Sequence, residues 1–524
     1  MKKKKAVAAT PSIKDELTQS IAYIYVIIMV GIHPIIYQNH FFGMVSAKTQ
    51  LFWYTTAMFL VLMLVIQLFC LLPNGKKGKR KSIKELLSTW SITDWCIVVF
   101  FCTVIVSWLF SAYRSESFYG TPGWFVGVAT LLSCCVAYYY ISRYFSFSPS
   151  VIWIMLVVNM GVGTLAILNH FRVDPLGMFD NVRAEDWAIF ISTIGNINLY
   201  SSYLCVIVPV FMALFCICQT RNSLLAYGSF LIIGFMNLIV VNSDSVFLGI
   251  GAAFVLLLWY AKDSWAIMKR YVSMVLLFLV SVQVMGGLHH IFETNAIVLS
   301  SIPNFFARST YVLGAIFVAI LMLAVVYRSE VKKADIRILK RVIWVMFGMG
   351  ILLFIGMIVL VIWVNTSDAK NLSGWVQFLR FEDSWGSNRG FIWRYCIKLY
   401  QDFPIGHKLI GCGPDTLYYA MLDSYYTDMV QFLNAVFSNA HSEFLQLLVT
   451  LGLAGVVSYF AILVSSGIRY GKESKSKPLL IVIATVIVSY IGQGAVNNPQ
   501  YITTPLLFVL LGVGEAIYRN EKKG

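Results

Sequence analysis

Charge is scarce in this chain of 524 residues: Asp, Glu, Lys and Arg make up 12%, against about a quarter of a soluble domain. No stretch is long and polar enough to form a large separate domain, which excludes a soluble enzyme held by one membrane anchor. Acids are scarcer than bases, with 25 Asp and Glu against 40 Lys and Arg, for a net charge of +15. In a soluble protein that surplus would suggest a nucleic-acid partner. The chain also lacks a disulfide framework. Eight of its ten cysteines (Cys70, Cys96, Cys102, Cys134, Cys135, Cys205, Cys216 and Cys218) fall in or beside apolar runs, where a thiol behaves as a small apolar group. Cys396 and Cys412 lie elsewhere, and a bond between them is left open by their spacing. Missing too is the inside/outside alternation of a membrane strand, so a closed barrel is excluded.

What is present is apolar: 59% hydrophobic residues, with 37 Phe, 28 Tyr and 14 Trp, and a mean hydropathy of +0.75. A bilayer core needs about 20 apolar helical residues. Fourteen runs of that kind can be drawn, at 21–38, 52–73, 93–112, 123–143, 150–169, 198–219, 224–240, 246–262, 271–290, 309–328, 343–365, 441–466, 479–495 and 503–518. The expected fold is therefore all-α, a polytopic membrane protein of 12 to 14 spans. Lys and Arg set its sidedness. With the N-terminus in the cytoplasm, 29 of the 40 fall on the cytoplasmic side and 11 on the other, while acids divide 10 to 15. The surplus is then about +19 inside and −4 outside. It records topology in the cell membrane and implies no nucleic acid. The Lys-rich start lacks a small-residue cleavage site, so the first helix is expected to be retained. The resulting division is a basic cytoplasmic N-terminus (1–20), N-terminal spans (21–117), a central membrane region (118–365), a long extracytoplasmic loop (366–440), C-terminal spans (441–518) and a cytoplasmic tail (519–524).

The loop 366–440 is too long to be a simple connection and too aromatic for disorder, holding among others Trp375, Phe378, Trp385, Phe391, Trp393, Tyr418 and Phe432. Ile392, Cys396, Leu399 and Phe403 recur at helical spacing, with Arg394 and Lys398 on another face, which predicts an amphipathic helix. Pro404 and Gly406 end it, Gly411-Cys412-Gly413-Pro414 makes a turn, and a second helix is expected over 416–434. All seven His fall on or near the outer side. Of these, His289-His290 has the composition of a metal site but adjacent residues diverge on a helix, so no metal is expected. His441 follows Ser438 and Asn439, either of which can cap a helix and place His441 in its first turn. The helix dipole there would keep the imidazole neutral and able to accept a proton; an interfacial His bonded to solvent is the plain alternative. Arg389 precedes Trp393 by one helical turn and suits either a cation–π pair or a grip on phosphate oxygens. Arg172, Arg183, Arg308 and Arg380 are the other outer cations weighed for that grip. Asn196 and Asn198, at the entry of an apolar helix, should face a wet cavity or bind each other, with helix capping the plain alternative. Asp244, within Asn242-Ser243-Asp244-Ser245, is expected in an outer aqueous vestibule.

In order along the chain, Arg389-Gly390-Phe391-Ile392-Trp393, Gly411-Cys412-Gly413-Pro414, Ala440-His441-Ser442-Glu443-Phe444-Leu445-Gln446 and Gly452-Leu453-Ala454-Gly455 resemble the signature of the O-antigen ligase and polymerase superfamily. Gly120-Thr121-Pro122-Gly123-Trp124 and Gly195-Asn196-Ile197-Asn198 are similar to earlier segments of that family. Two departures stand out. The chain has Ser243-Asp244-Ser245 where the family often has Ser-Arg, and its fourteen spans exceed the usual dozen. The resemblance implies transfer of a glycan from a polyprenyl diphosphate carrier to an acceptor hydroxyl of a glycan, lipid or protein, without cofactor or metal. It further implies His441 as base, Arg389 as diphosphate contact, and Trp393, Arg394, Gly411, Gly413, Asn196, Asn198, Asn439, Glu443 and Arg172 as substrate-binding residues. Ligase and polymerase differ only in the acceptor. The competing class, a secondary transporter or lipid-linked glycan flippase, would call for inverted repeats and ionisable residues at mid-membrane; the spans 52–73 and 343–365 carry no acid or base.

Overall fold

In the computed structural model the chain is described over residues 12–69, 84, 87–367, 376 and 379–520. Residues 1–11 of the basic N-terminus, most of the basic segment 74–85, Cys70, Trp375, Phe378 and the tail beyond 520 lie outside the described residues. The fold is all-α. Its helices are α1 (Ile13–Ile27, continued by a π turn at Ile28–Ile32), α2 (Met44–Phe69), α3 (Ile92–Leu109), α4 (Arg114–Tyr119), α5 (Val128–Tyr144), α6 (Pro149–His170), α7 (Ile197–Ile217), α8 (Arg221–Val240), α9 (Ser245–Ala261) and α10 (Trp265–Ile291). There follow α11 (Ser301–Arg308), α12 (Thr310–Val331), α13 (Ile336–Thr366), α14 (Trp385–Asp402), α15 (Ile405–Ile410), α16 (Leu417–Leu433), α17 (Glu443–Glu473), α18 (Leu479–Gly494) and α19 (Thr503–Asn520). A two-residue hairpin, Phe190–Ile191 with Gly195–Asn196, is the sole sheet among the described residues.

Each of the fourteen predicted spans is a helix, and among the described residues ten helices are long and apolar enough to cross a membrane. The α9 and α18 helices are apolar but shorter. Periodicity is weak in these helices because they are apolar all round, and burial instead separates centre from periphery. The most apolar 18-residue window of α7 is 94% buried, placing it at the centre of the bundle, whereas that of α13 has no buried residue and lies at the periphery.

Polar residues mark the two ends of the bundle. At one end Asp94, at the start of α3, meets Arg143 at 3.4 Å and is bonded by Arg519. Glu515, fully buried on α19, takes Arg469 at 2.8 Å and Arg519 at 3.1 Å. Two acids and three arginines thus tie the starts or ends of α3, α5, α17 and α19, consistent with the rule that buried charges are paired. This basic end also holds Lys262, Lys340 and Lys475 around Asp263. At the other end the buried ammonium of Lys48 donates to the carbonyls of His33, Pro34 and Ile36 at 3.0, 2.8 and 2.7 Å, satisfying the frayed end of α1. Thr193 bonds Pro34 from the hairpin, so α1 ends where α7 begins. The start of α1 and the end of α19 therefore share the basic end.

Removing one partner of a buried ion pair leaves the other uncompensated and costs about 3–5 kcal/mol. Glu515→Ala is accordingly expected to lower the melting temperature of the detergent-solubilised protein sharply, while the exposed pair partner change Glu185→Ala leaves it unmoved; equal melting curves would show that the network contributes nothing.

Candidate functional site

The connection between α13 and α17 folds into a small core of its own. Ile392, Cys396 and Leu399 are buried with Cys412, Leu417, Met421 and Met429, and Phe403 packs against them, as the helical spacing predicted. The second helix of the connection is α16, at Leu417–Leu433. Cys396 and Cys412 share this core as free thiols.

What fastens this core to the bundle is a break in α17. Gly452 lies at φ +66°, ψ −169° inside the helix, so the carbonyls of the preceding turn lose their intrahelical partners. The Cys412 and Gly413 amides take up those of Val449 and Thr450, at 3.1 and 3.0 Å. Contact is close in both directions: a Cβ on Gly411 would stand 2.2 Å from the Thr450 carbonyl, and one on Gly452 would stand 2.4 Å from the Leu409 carbonyl carbon. The Gly411 amide is used as well, on His407. The Gly-x-Gly turn is therefore a joint between loop and helix, and its amides are bonded within the protein, whereas the resemblance implied Gly411 and Gly413 as substrate-binding residues. The following residue, Asp415, is buried and accepts from the Thr121 and Val126 amides at 2.9 and 3.0 Å. Burial pushes its carboxyl up to about 7, against those two bonds. The Gly120–Trp124 segment is thus a clasp around the joint, and its Trp124 bonds Ser438 at 3.0 Å.

On this platform Arg389 and His441 are aimed into one space. Gly386, Ser387 and Asn388 are left-handed (φ 59°, 59° and 69°), and Arg389 begins the regular part of α14. Its Nη1 donates to Gly386 O at 2.8 Å, and its buried Nε has no partner among the described residues. His441 is left-handed too, at φ +47°, a conformation uncommon outside glycine and typical of strained functional positions. Its neighbours hold it there. Trp393 Nε1 donates to Ala440 O at 3.0 Å, the Ala440 amide donates to Gln446 Oε1 at 2.9 Å, and the His441 amide donates to Asn439 Oδ1 at 3.1 Å. Asn498 fixes Asn439 from the α18–α19 loop.

His441 consequently precedes the helix, whose cap is Ser442, and does not sit in its first turn. Its neutrality has another cause than the dipole. Burial, and then the nearby Arg389 charge, push the imidazole down to about 4. Burial also lowers Arg389, with Asp244 acting in the opposite direction. The Nδ1 atom of His441 is buried and unpartnered among the described residues.

Both side chains line a cavity of about 580 Å³ at the end of the bundle away from the Asp94–Glu515 network. Asn198, Asn242, Ser243, Asp244, Ser245, Ser300, Trp385 and Ser387 line it with them. Beneath, Ser243 reaches Asn198 Oδ1 at 3.3 Å and Ser245 at 3.0 Å, and Ser245 meets Ser201 at 2.8 Å. Gln493, Asn497 and Gln500 converge on Ser202 at 2.6, 3.0 and 2.7 Å, and Asn497 also bonds Asn198 O at 3.0 Å. This amide cluster was not singled out in the sequence, although three amides within Asn497-Asn498-Pro499-Gln500, between two apolar helices, were a legible signal.

The remaining candidates divide. Asn198 faces the cavity, and Asn196 caps α7 by accepting from the Asn198 amide at 2.8 Å. Asp244 lies in the open cavity, as expected. Trp393 and Asn439 support His441 from behind rather than line the cavity. Arg394 does not line it either: it pairs with Asp383 and stacks on Tyr395 at 5.3 Å. Glu443 is turned away, its Oε1 accepting from Tyr459 at 2.8 Å and Tyr490 at 2.7 Å. Arg172 is exposed outside the cavity. Arg183 pairs with Glu185 and Asp186, Arg308 with His289 and Glu293, and Arg380 with Glu382. His289 is fully occupied by Ile297 O and Arg308. Among the described residues Arg389 is the one cation on the cavity wall, so no other Arg replaces the one absent at Ser243-Asp244-Ser245.

The family model described as O-antigen ligase matches residues 296–460, which include Arg389, Trp393, the Gly411–Gly413 joint and His441. No curated protein matches the chain.

The joint is a steric claim. Gly411→Ala is expected to separate loop from helix, seen as faster proteolysis between residues 385 and 440 and a lower melting temperature, whereas Gly406→Ala, whose Cβ meets nothing within 4 Å, is expected to behave as wild type. Equal protection of the two variants would remove the joint from the account.

Proposed function

We propose, from the match of residues 296–460 to the O-antigen ligase family model, that this chain takes part in surface polysaccharide assembly by glycosyl transfer, and that the cavity between Arg389 and His441 is where a glycan leaves a polyprenyl diphosphate carrier for an acceptor hydroxyl. The observation that carries the reading is that Arg389 and His441 line one polar cavity, each also holding a buried polar atom, Nε and Nδ1, with no partner among the described residues. A guanidinium on the wall of a polar cavity suits diphosphate oxygens.

In the reaction a bond forms between the acceptor oxygen and the anomeric carbon as the bond from that carbon to the diphosphate oxygen breaks. The bonding pair leaves with the diphosphate, whose added charge faces the Arg389 guanidinium. The acceptor proton passes to His441, neutral beforehand because of its burial. Asn198, Ser243 and Ser387 offer hydroxyl and amide groups for sugar hydroxyls, and Trp385 offers a ring face for a sugar. Asp244 stands where the family often has an arginine, so the donor's diphosphate rests on Arg389 alone among the cavity residues. The active cavity lies on the extracytoplasmic side, following the Lys and Arg bias of the loops. A site at the ends of the spans, under the connection 367–442, suits transfer at a membrane surface rather than alternating access.

With carrier-linked oligosaccharide and purified protein, His441→Ala is expected to lower kcat/KM by about 10²–10⁴-fold, the usual worth of a positioned base. Arg389→Ala is expected to lower it by about 10²–10³-fold. Either variant transferring glycan at the wild-type rate while properly inserted would contradict these roles.

The pH dependence carries a sign. His441 acts as the neutral form, and its value is pushed down to about 4 from 6.5. The wild-type kcat/KM should therefore be insensitive to His441 down to about pH 4 and be lost below it. Arg389→Gln removes a nearby positive charge, so the residual activity should show that limb at higher pH. A limb at 6.5 in the wild type, unmoved by Arg389→Gln, would mean that His441 is solvated and is not the base.

A further inference from the structure

A second large cavity, of about 690 Å³, lies at the basic end, remote from His441. Its size falls within the roughly 300–1,000 Å³ typical of small-molecule sites. It runs between α9 and α17, both of which pack on α18. Leu256, Leu463, Val464, Ile468, Ile481 and Ile487 make its walls apolar. The space exists because α17 turns Gly467 and Gly471 toward it; a Cβ on Gly471 would meet nothing within 4 Å. Val464 and Ile468 are half exposed, leaving the slot open sideways to lipid.

The mouth of the slot has the opposite character. Lys262, Lys472 and Lys475 line it, and Lys340 stands beside them. The acid among these groups is Asp263, already shared by Lys475 at 3.0 Å, Lys340 at 3.1 Å and Lys262 at 3.7 Å. Lys472 has no ion-pair partner among the described residues. Lys262 rests on the Trp259 ring at 3.9 Å, and its burial, with the crowding of Lys475 and Lys340, lowers its pKa despite Asp263. Four ammonium groups around one carboxylate leave three positive charges unmatched, at the open end of an apolar slot.

We infer that this slot binds one anionic glycerophospholipid of the leaflet at the basic end, with its phosphate against Lys472 and Lys475 and an acyl chain along Leu463, Ile468 and Ile487. The pairing of the two surfaces selects the class. A soluble anion gains nothing from the apolar walls, and a zwitterionic lipid gains less from the lysines because its own ammonium offsets its phosphate, whereas basic pockets between membrane helices suit anionic headgroups. The site is independent of glycan transfer and separated from it by the length of the bundle.

The test is native mass spectrometry of the full-length protein released from nanodiscs made of phosphatidylcholine and phosphatidylglycerol in equal amounts. Wild type is expected to retain one phosphatidylglycerol in preference to phosphatidylcholine. Lys472→Gln with Lys475→Gln is expected to weaken that retention about 25-fold, from roughly fivefold per lysine near a lipid headgroup. Gly471→Leu, which fills the slot without changing charge, is expected to abolish it. Equal retention of the two lipids by wild type, or undiminished phosphatidylglycerol in both variants, would overturn the inference. Retention of added polyprenyl phosphate with exclusion of phosphatidylglycerol would overturn the choice of occupant.

Discussion

Two backbone hydrogen bonds, from the Cys412 and Gly413 amides to the carbonyls of Val449 and Thr450, join the long connection to the membrane bundle, and the geometry of the cavity depends on them. They exist because Gly452 interrupts α17 and leaves carbonyls that an unbroken helix would have satisfied internally. Buried backbone groups must find partners, and here the partner is a turn 37 residues upstream in sequence. Glycine is required at both faces of the joint, since a Cβ on Gly411 or Gly452 would fall inside van der Waals contact of the opposing backbone. Asp415 then anchors the same turn to the amides of Thr121 and Val126, so three distant stretches of chain meet at one place.

From that joint the placement of chemistry follows. The core of Phe391, Cys396, Leu399 and Cys412 orients α14, and α14 presents two residues one helical turn apart for different tasks. Arg389 enters the cavity, and Trp393 bonds Ala440 and so holds His441 in its left-handed conformation. Gln446 secures the same peptide from the α17 side. The motif residues therefore work as a pair that faces the cavity and a set that supports the pair. Such preorganisation lets a modest catalytic group act without reorganising when charge develops.

Much of this was legible in the sequence. Fourteen apolar runs gave fourteen helices because length and composition alone decide whether a segment suits lipid. The amphipathic helix near 392–403 was legible because its period was intact. Arg389 and His441 stood out in the sequence because cations and bases are rare among the residues expected outside, and the structure brings both to one cavity wall. Long-range partners were not. Nothing local shows that the Gly411–Gly413 amides face Val449 and Thr450, that Glu443 turns to Tyr459 and Tyr490, or that Arg394 meets Asp383. His441 was expected inside a helix because Ser438 and Asn439 are good caps, yet the helix starts later, at Glu443: the tertiary bonds to Ala440 and Asn439 outweigh the local capping preference. The amides of the α18–α19 loop carry a local signal, but their role depends on Ser202 and Asn198, almost 300 residues away.

The central claim is that the Arg389–His441 cavity cleaves the bond between glycan and lipid diphosphate while forming a new glycosidic bond. The direct measurement is incubation of the purified, membrane-reconstituted protein with a carrier-linked oligosaccharide bearing label in both glycan and lipid. Release of free polyprenyl diphosphate in step with glycan transferred to a hydroxyl is the expected result, as a ladder for a polymerase or a single adduct for a ligase. Glycan that stays on its carrier, or that crosses the membrane with the carrier bond intact, would contradict the account.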